Sequence, residues 1–365
     1  MDKMPTSTYE TRQSRRIGWF CSYTPLELLY AAGALPIRIT GHSDAIKTGD
    51  TYMHPNLCQY VRSAIDAAVT HQIGDLRGVV FVNSCDAMRR LRDVWKRYVP
   101  TEFSFLLDLP AGQTPIDQEY YYEELEKLKI ALEKHYQIQI TDQLLKDAAS
   151  VYNSAREAYH QLNTLRKATP SLISGKEMLH VAGNFFETNP DHWVRDVKAL
   201  LGQKRRQTLN PPPDSRINHR PRIFIAGSPI HSPEIVGFIE ECGFDVVGEE
   251  LCAGERFFDL SVDNQADMLS ALSKAYLLKP PCARMMNLPD RTKYIVSGAR
   301  NAHADGILHH TLKFCDTYSY DLPSFKKELD AEGFKMLSIE GDCTLGSIGQ
   351  LKTRIEAFRE VLLNQ

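Results

Sequence analysis

The chain has 365 residues, with 43 Lys and Arg against 46 Asp and Glu, a formal charge of −3, 43% hydrophobic residues and 24% charged ones. That length suggests two domains, and those proportions exclude a disordered or collagen-like chain. Near-neutral charge supplies no long-range pull toward nucleic acid or an anionic membrane. No apolar run approaches the ~20 residues that span a bilayer, so neither partner is expected. Met1 to Arg16 is polar and lacks an apolar h-region; no secretory signal is read, and a cytoplasmic protein is expected.

The eight cysteines are too sparse for a small disulfide scaffold. In a reducing cytoplasm they stay free, bind metal or react. The absence of any CxxC pair disfavours a zinc ribbon or finger.

In chain order, residues 1–16 read as a polar arm, and Ile17 to Phe20 as a short strand. Thr24-Pro25-Leu26-Glu27 opens a helix, with Thr24 as N-cap, Pro25 at the first helical position and Glu27 closing a capping box. Leu35 to Ile39 reads as a strand, followed by turn residues Gly41, His42 and Ser43. Pro55 sits where a second helix should start, running to about Thr70 and placing Cys58 in its first turn. Gly78 to Val82 is a continuous apolar run, the mark of a buried parallel strand. It ends in Asn83-Ser84-Cys85-Asp86, and a helix follows from Ala87 to Arg97. Phe103 to Leu109 is another strand. The alternation defines an α/β domain over residues 17–116.

Residues 117–201 change character. Tyr120 to Tyr136 and Thr141 to Lys167 have helical periodicity with no strand between them. Residues 202–221 read as a basic, proline-rich linker holding Lys204, Arg205, Arg206 and Pro211-Pro212-Pro213. A second α/β pattern fills 222–365. Its strands are Arg222 to Gly227, Gly243 to Val247, Ala304 to His310 and Lys335 to Ile339, and its helices are Ser232 to Cys242, Asp321 to Ala331 and Gln350 to Leu363. The fold class is therefore α/β, with two Rossmann-like parallel-sheet domains and a helical segment between or beside them.

Cys85 and Cys315 each lie just past a buried strand, the edge where open parallel sheets bind ligands. Cys58 at a helix start has a dipole that favours thiolate. Three such thiols converging from two domains would make a metal site; inert buried thiols are the alternative.

The text around these cysteines resembles the 2-hydroxyacyl-CoA dehydratase and benzoyl-CoA reductase family, in its D-component-like subunits. The matching segments are Gly18-Trp19-Phe20 with Pro25 through Pro36, the Asn83-Ser84-Cys85-Asp86 turn, Pro281-Cys282-Ala283-Arg284-Met285, His310 through Asp316, and Gly349 through Phe358. The resemblance implies flavodoxin-like domains and an iron–sulfur cluster held by Cys58, Cys85 and Cys315. That cluster is expected to be a 4Fe-4S cubane with one iron lacking a cysteine, or alternatively an 8Fe-9S double cubane. An open iron serves as electron donor and Lewis acid. The implied reaction is removal of water from an (R)-2-hydroxyacyl-CoA through a ketyl radical, giving a 2-enoyl-CoA. The implied partners are a related second subunit and an ATP-dependent iron–sulfur activator. This chain has no GxxxxGK[ST] loop, and no bound nucleotide is expected of it. The alternatives are a benzoyl-CoA-reductase-like or double-cubane reductase, or a non-catalytic electron-transfer subunit.

Beyond the ligands, Glu27 is a candidate base or substrate-orienting carboxylate, or merely the capping-box partner of Thr24. Ser22 or Cys21 is a candidate to approach the open iron. His309 and His310 lie on the strand before Cys315, and His310 is a candidate proton donor. Asp86 and Asp316 read as N-caps. Arg284 and Lys293 are candidates for CoA phosphates, or surface charges. Cys282 is a candidate further ligand, whereas Cys252, Cys343 and Cys242 read as spare thiols.

Overall fold

A computed structural model describes residues 15–41, 45–209, 220–342 and 348–364. Residues 1–14 of the polar arm, His42, Ser43, the Pro211-Pro212-Pro213 triplet and Cys343 lie outside the described residues.

Two all-parallel, four-stranded sheets carry the fold. In the first, β1 (Arg16–Trp19), β2 (Leu35–Arg38), β3 (Gly78–Val82) and β4 (Phe103–Leu107) lie in the order β2-β1-β3-β4. In the second, β5 (Arg222–Gly227), β6 (Asp245–Glu249), β7 (Gly306–Thr311) and β8 (Lys335–Glu340) repeat that plan as β6-β5-β7-β8. The central strands β3, β5 and β7 are buried along their whole length. Their continuous Val, Ile and Phe runs suit strands covered on both faces. In each sheet the winding reverses at the central pair, β1/β3 and β5/β7, and the crevice at the carboxyl ends of such a pair is the ligand position of open α/β sheets.

The helical stretch binds the two halves together. Asp142–Lys167 starts at Thr141, whose side chain accepts from Leu144 N, and it packs against helices Leu26–Ala31, Gly175–Phe185 and Pro190–Leu209 and against β6. Helix Met268–Leu277, from the second half, packs on Pro115–Tyr136. An aromatic seam completes the junction. Trp19 of β1 stacks on Phe257 at 5.7 Å and meets Phe186 edge-on at 5.5 Å, and Trp193 stacks on Phe258 at 5.6 Å. Aromatic pairs at such spacings add to the area they bury.

Several helix boundaries differ from those the sequence suggests. The basic stretch Gly202–Leu209 is not linker; it is the last part of helix Pro190–Leu209, and Lys204 pairs with Glu177 at 2.7 Å. The second helix begins at Gln59, with Cys58 as an extended N-cap. Proline at 55 fits a helix start, but it fits a turn equally well. Pro25 is itself an N-cap, at φ −74° and ψ 103°, and no side chain caps that helix. Cys85 and Cys315 are the N-caps of Asp86–Tyr98 and Asp316–Ala331, so Asp86 and Asp316 occupy the first helical position instead of capping. Helices Glu255–Phe258, Met268–Leu277 and Leu288–Asn301 are not anticipated from the sequence.

Candidate functional site: an interdomain cysteine crevice

The carboxyl ends of the two sheets face one another across a shared crevice. Tyr60, at the start of helix Gln59–Val69, stacks on His231 of the β5 loop at 5.2 Å. Arg38, the last residue of β2, reaches Cys252 beyond β6. Arg284 donates to Asn83 O at 3.4 Å and Leu109 O at 2.9 Å, so it braces the β3 and β4 loops; it is not free for phosphate.

Cys58, Cys85 and Cys315 come together here. They share one apolar cluster with Phe20, Phe81 and Leu312. Burial pushes the Cys58 thiol up to about 12, with Cys315 and then Cys85 adding to the rise. The amides of Val61 and Tyr60 pull the other way, but too weakly. The expected helix-dipole activation of Cys58 is thus overcome by desolvation, which disfavours an isolated thiolate. Cys85 and Cys315 are raised for the same leading reason. Each therefore holds its proton until an opposite charge arrives beside it.

Two backbone devices aim Cys315. Phe314, just before it, has φ +61°, a left-handed conformation that costs a bulky residue about 1–2 kcal/mol. Gly227 ends β5 at φ +117°, and a Cβ there would stand 2.0 Å from His310 O. Only glycine allows that approach, through which Ser228 N reaches His310 O at 2.8 Å. Ser228 Oγ then accepts from Leu312 N at 3.1 Å and bonds Cys315.

A second group of three thiols lies on the other side of Tyr60, whose hydroxyl feels Cys252 and Cys21. Cys21 lies just past β1, Cys252 just past β6, and Cys282 in the loop before helix Leu288–Asn301. Cys21 is raised to about 11, by burial first, then by Cys282 and, less, by Cys252. Three cations surround the group. Arg38 donates to Cys252 Sγ at 3.1 Å. Lys279 donates to Ser22 O and lies 4.4 Å over the Tyr23 ring; burial lowers it to about 7. Arg256 pairs with Glu250 at 3.0 Å and donates to Tyr318 Oη at 3.2 Å. Three donors are left buried without a hydrogen-bond partner: Tyr23 Oη, Arg256 Nη1 and Arg38 Nε. Orphaned donors and cations around thiols are the surroundings that an anionic, sulfur-ligated group requires. Sequence reasoning names Cys21 and Cys282 only as separate candidates and reads Cys252 as a spare thiol, although Cys21 and Cys252 follow strand ends just as Cys85 and Cys315 do. The cations around the group carry no local signal.

Among the described residues, no three His, Cys, Asp or Glu side chains surround a single metal ion. A cluster sets each thiolate on its own iron, so its sulfurs stand farther apart than those around one ion. The donor chemistry of both groups fits such a core.

The other sequence candidates fall elsewhere. Glu27 is fully buried. Its carboxylate accepts from Tyr276 Oη at 2.6 Å and pairs with Arg156 at 2.7 Å. It therefore joins helices Leu26–Ala31, Asp142–Lys167 and Met268–Leu277 and closes no capping box, and Thr24 Oγ1 has no partner. Ser22 is buried beside Cys21 and offers its carbonyl to Lys279. His310 is buried in β7, and burial lowers it to about 4, so its ring is neutral near pH 7. Burial, then Arg291, lowers His309 to about 3. Lys293 is exposed and paired with Asp290. Cys242 lies apart, near Glu356 and Lys352.

Fold and site together define a two-domain parallel α/β protein with a cysteine-lined interdomain crevice. The chain belongs to the family of the 2-hydroxyglutaryl-CoA dehydratase D-component, which it matches over residues 21–362. It is 24% identical to the (R)-phenyllactyl-CoA dehydratase beta subunit of Clostridium sporogenes, over 97% of this chain and 93% of the relative. It is 26% identical to one of the subunits of benzoyl-CoA reductase from Thauera aromatica, over 86% and 82% of the two chains. The (R)-2-hydroxyglutaryl-CoA dehydratase beta subunit of Acidaminococcus fermentans is 22% identical over 99% and 96%. An enzyme subunit of dehydratase type is the class these relatives define. No described helix is long and apolar enough to cross a membrane.

Proposed function

We propose that this chain is a redox-active iron–sulfur subunit served by a separate ATP-dependent activator, and that its inorganic core spans both thiol groups as a double cubane. The supporting observation is two groups of three cysteines with Tyr60 beside both. A lone cubane on Cys58, Cys85 and Cys315 leaves Cys21, Cys252, Cys282 and their three cations without a role. When bound, such a core supplies low-potential electrons and Lewis acidity at iron. The chain does the rest. Its six thiolates hold the core, while Arg38, Arg256 and Lys279 offset its negative charge. Phe20, Phe81 and Leu312 wall one side against water.

A second reading is a single cubane on Cys58, Cys85 and Cys315 in an (R)-2-hydroxyacyl-CoA dehydratase, a lyase acting on an acyl-CoA beside a related second subunit. The beta-subunit relatives and the separateness of that thiol group favour it. Anaerobic purification with iron and sulfide analysis decides between them. About eight irons per chain fits the double form and about four the single one. Cys58→Ala, Cys85→Ala and Cys315→Ala lower the iron content in both readings. Cys21→Ala, Cys252→Ala and Cys282→Ala lower it only in the first, and Cys242→Ala in neither. A colourless chain without iron refutes both. Titrating acyl-CoA onto the chain and onto its complex separates a substrate-hosting subunit from an electron relay.

A further inference from the structure

We infer that Arg38 is a positioning residue that sets the reduction potential of the bound core through the Cys252 sulfur. The inference rests on the reading above in which Cys252 is a ligand. Arg38 ends β2 in the first domain and is 4% exposed. Its guanidinium lies against both rings of the edge-on Trp19–Phe186 pair, 5.0 Å from Trp19 and 4.8 Å from Phe186. Nη1 donates to Cys252 O at 2.6 Å and Nη2 to Cys252 Sγ at 3.1 Å. Among the described residues no carboxylate pairs with it. A buried cation without a carboxylate requires another anion, and here the atom its fork reaches is sulfur.

The geometry is that of a fixed donor. The aromatic faces restrict the planar group, the carbonyl of Cys252 sets its rotation, and the remaining Nη2 donor is left for the sulfur. Lysine cannot reproduce two parallel donors from one plane. A positive charge hydrogen-bonded to a ligand sulfur stabilises the reduced core more than the oxidised one, because reduction adds negative charge there. Hydrogen bonds to cluster sulfurs are among the determinants of potential. Arg38 also reaches from the first domain to a ligand of the second, so it ties the potential to the docking of the domains.

The test is an anaerobic redox titration followed by electron paramagnetic resonance on the full chain with its natural core. Arg38→Met and Arg38→Lys are compared with wild type, with iron counted in each. With iron retained, Arg38→Met is expected to weaken electron affinity about tenfold, a downward shift of about 59 mV, and Arg38→Lys to shift it less. If Arg38→Met fails to fold, Arg38→Lys alone carries the test. Iron at the wild-type level with an unchanged midpoint overturns the inference and leaves the parent reading standing. Wild-type chain without iron overturns the parent reading and the inference with it.

Discussion

Replacing Glu27 separates a structural role from a catalytic one. Its carboxylate is fully buried, 2.6 Å from Tyr276 Oη and 2.7 Å from Arg156 Nη2. Glu27→Ala would leave the Arg156 guanidinium, 3% exposed, without its counter-charge. Removing one partner of a buried pair costs about 3–5 kcal/mol, which in a chain of this size lowers the unfolding midpoint by about 4–7 °C. Glu27→Gln keeps an acceptor for Tyr276 and should cost less. The double variant Glu27→Leu with Arg156→Met removes both charges and should recover most of the loss, because an apolar pair of similar volume is often as stable. The loss is not fully recovered, since Tyr276 Oη keeps only its bond from Leu26 N at 3.0 Å. Differential scanning fluorimetry under anaerobic conditions reads these proteins together with the single variants Glu27→Leu and Arg156→Met. If Glu27→Ala costs less than about 1 kcal/mol, or if the double variant loses the sum of the single losses, the reasoning fails.

The remaining predictions concern pH and backbone. His309 and His310 are held neutral, at about 3 and about 4, against 6.5 when exposed. The unfolded chain therefore takes up protons below about 6.5 that the folded chain refuses, so stability falls as pH drops toward 4. Each ring contributes about 1.4 kcal/mol per pH unit. Urea midpoints at pH 7, 6 and 5 should fall steadily, and His309→Gln should flatten the slope; identical slopes would count against the burial argument. Gly227→Ala should cost about 2–4 kcal/mol, from its φ of +117° and the clash with His310 O. Gly183→Ala, where a Cβ meets nothing within 4 Å inside helix Gly175–Phe185, should stabilise by about 0.5–1 kcal/mol. Thermal melts that rank the two glycines the other way would contradict both assignments.

What is legible in the sequence is what local physics determines. The runs at Gly78–Val82 and Arg222–Gly227 are strands because buried parallel strands need apolar side chains on both faces. Helix starts are misplaced where proline misleads: Pro25 is a cap and Pro55 stands outside the helix. Cysteine is not a favoured cap, so Cys58, Cys85 and Cys315 give no sign of that role. The strand-end rule, applied to Cys85 and Cys315, is not carried through to Cys21 and Cys252. Glu27 looks like a capping carboxylate because its true partners, Arg156 and Tyr276, are far away in the chain. Arg38, Arg256 and Lys279 look like ordinary surface cations until the two domains meet.

Each thiol group draws on both halves of the chain: Cys58 and Cys85 need Cys315, and Cys21 needs Cys252 and Cys282. A polypeptide emerging from the ribosome therefore displays two incomplete sets of anchors until most of its second half has been made. Iron captured early would be loosely held and easily surrendered. On the proposed iron–sulfur reading, the split works as an order of assembly, in which the mineral centre is accepted only once both halves have been synthesised and docked.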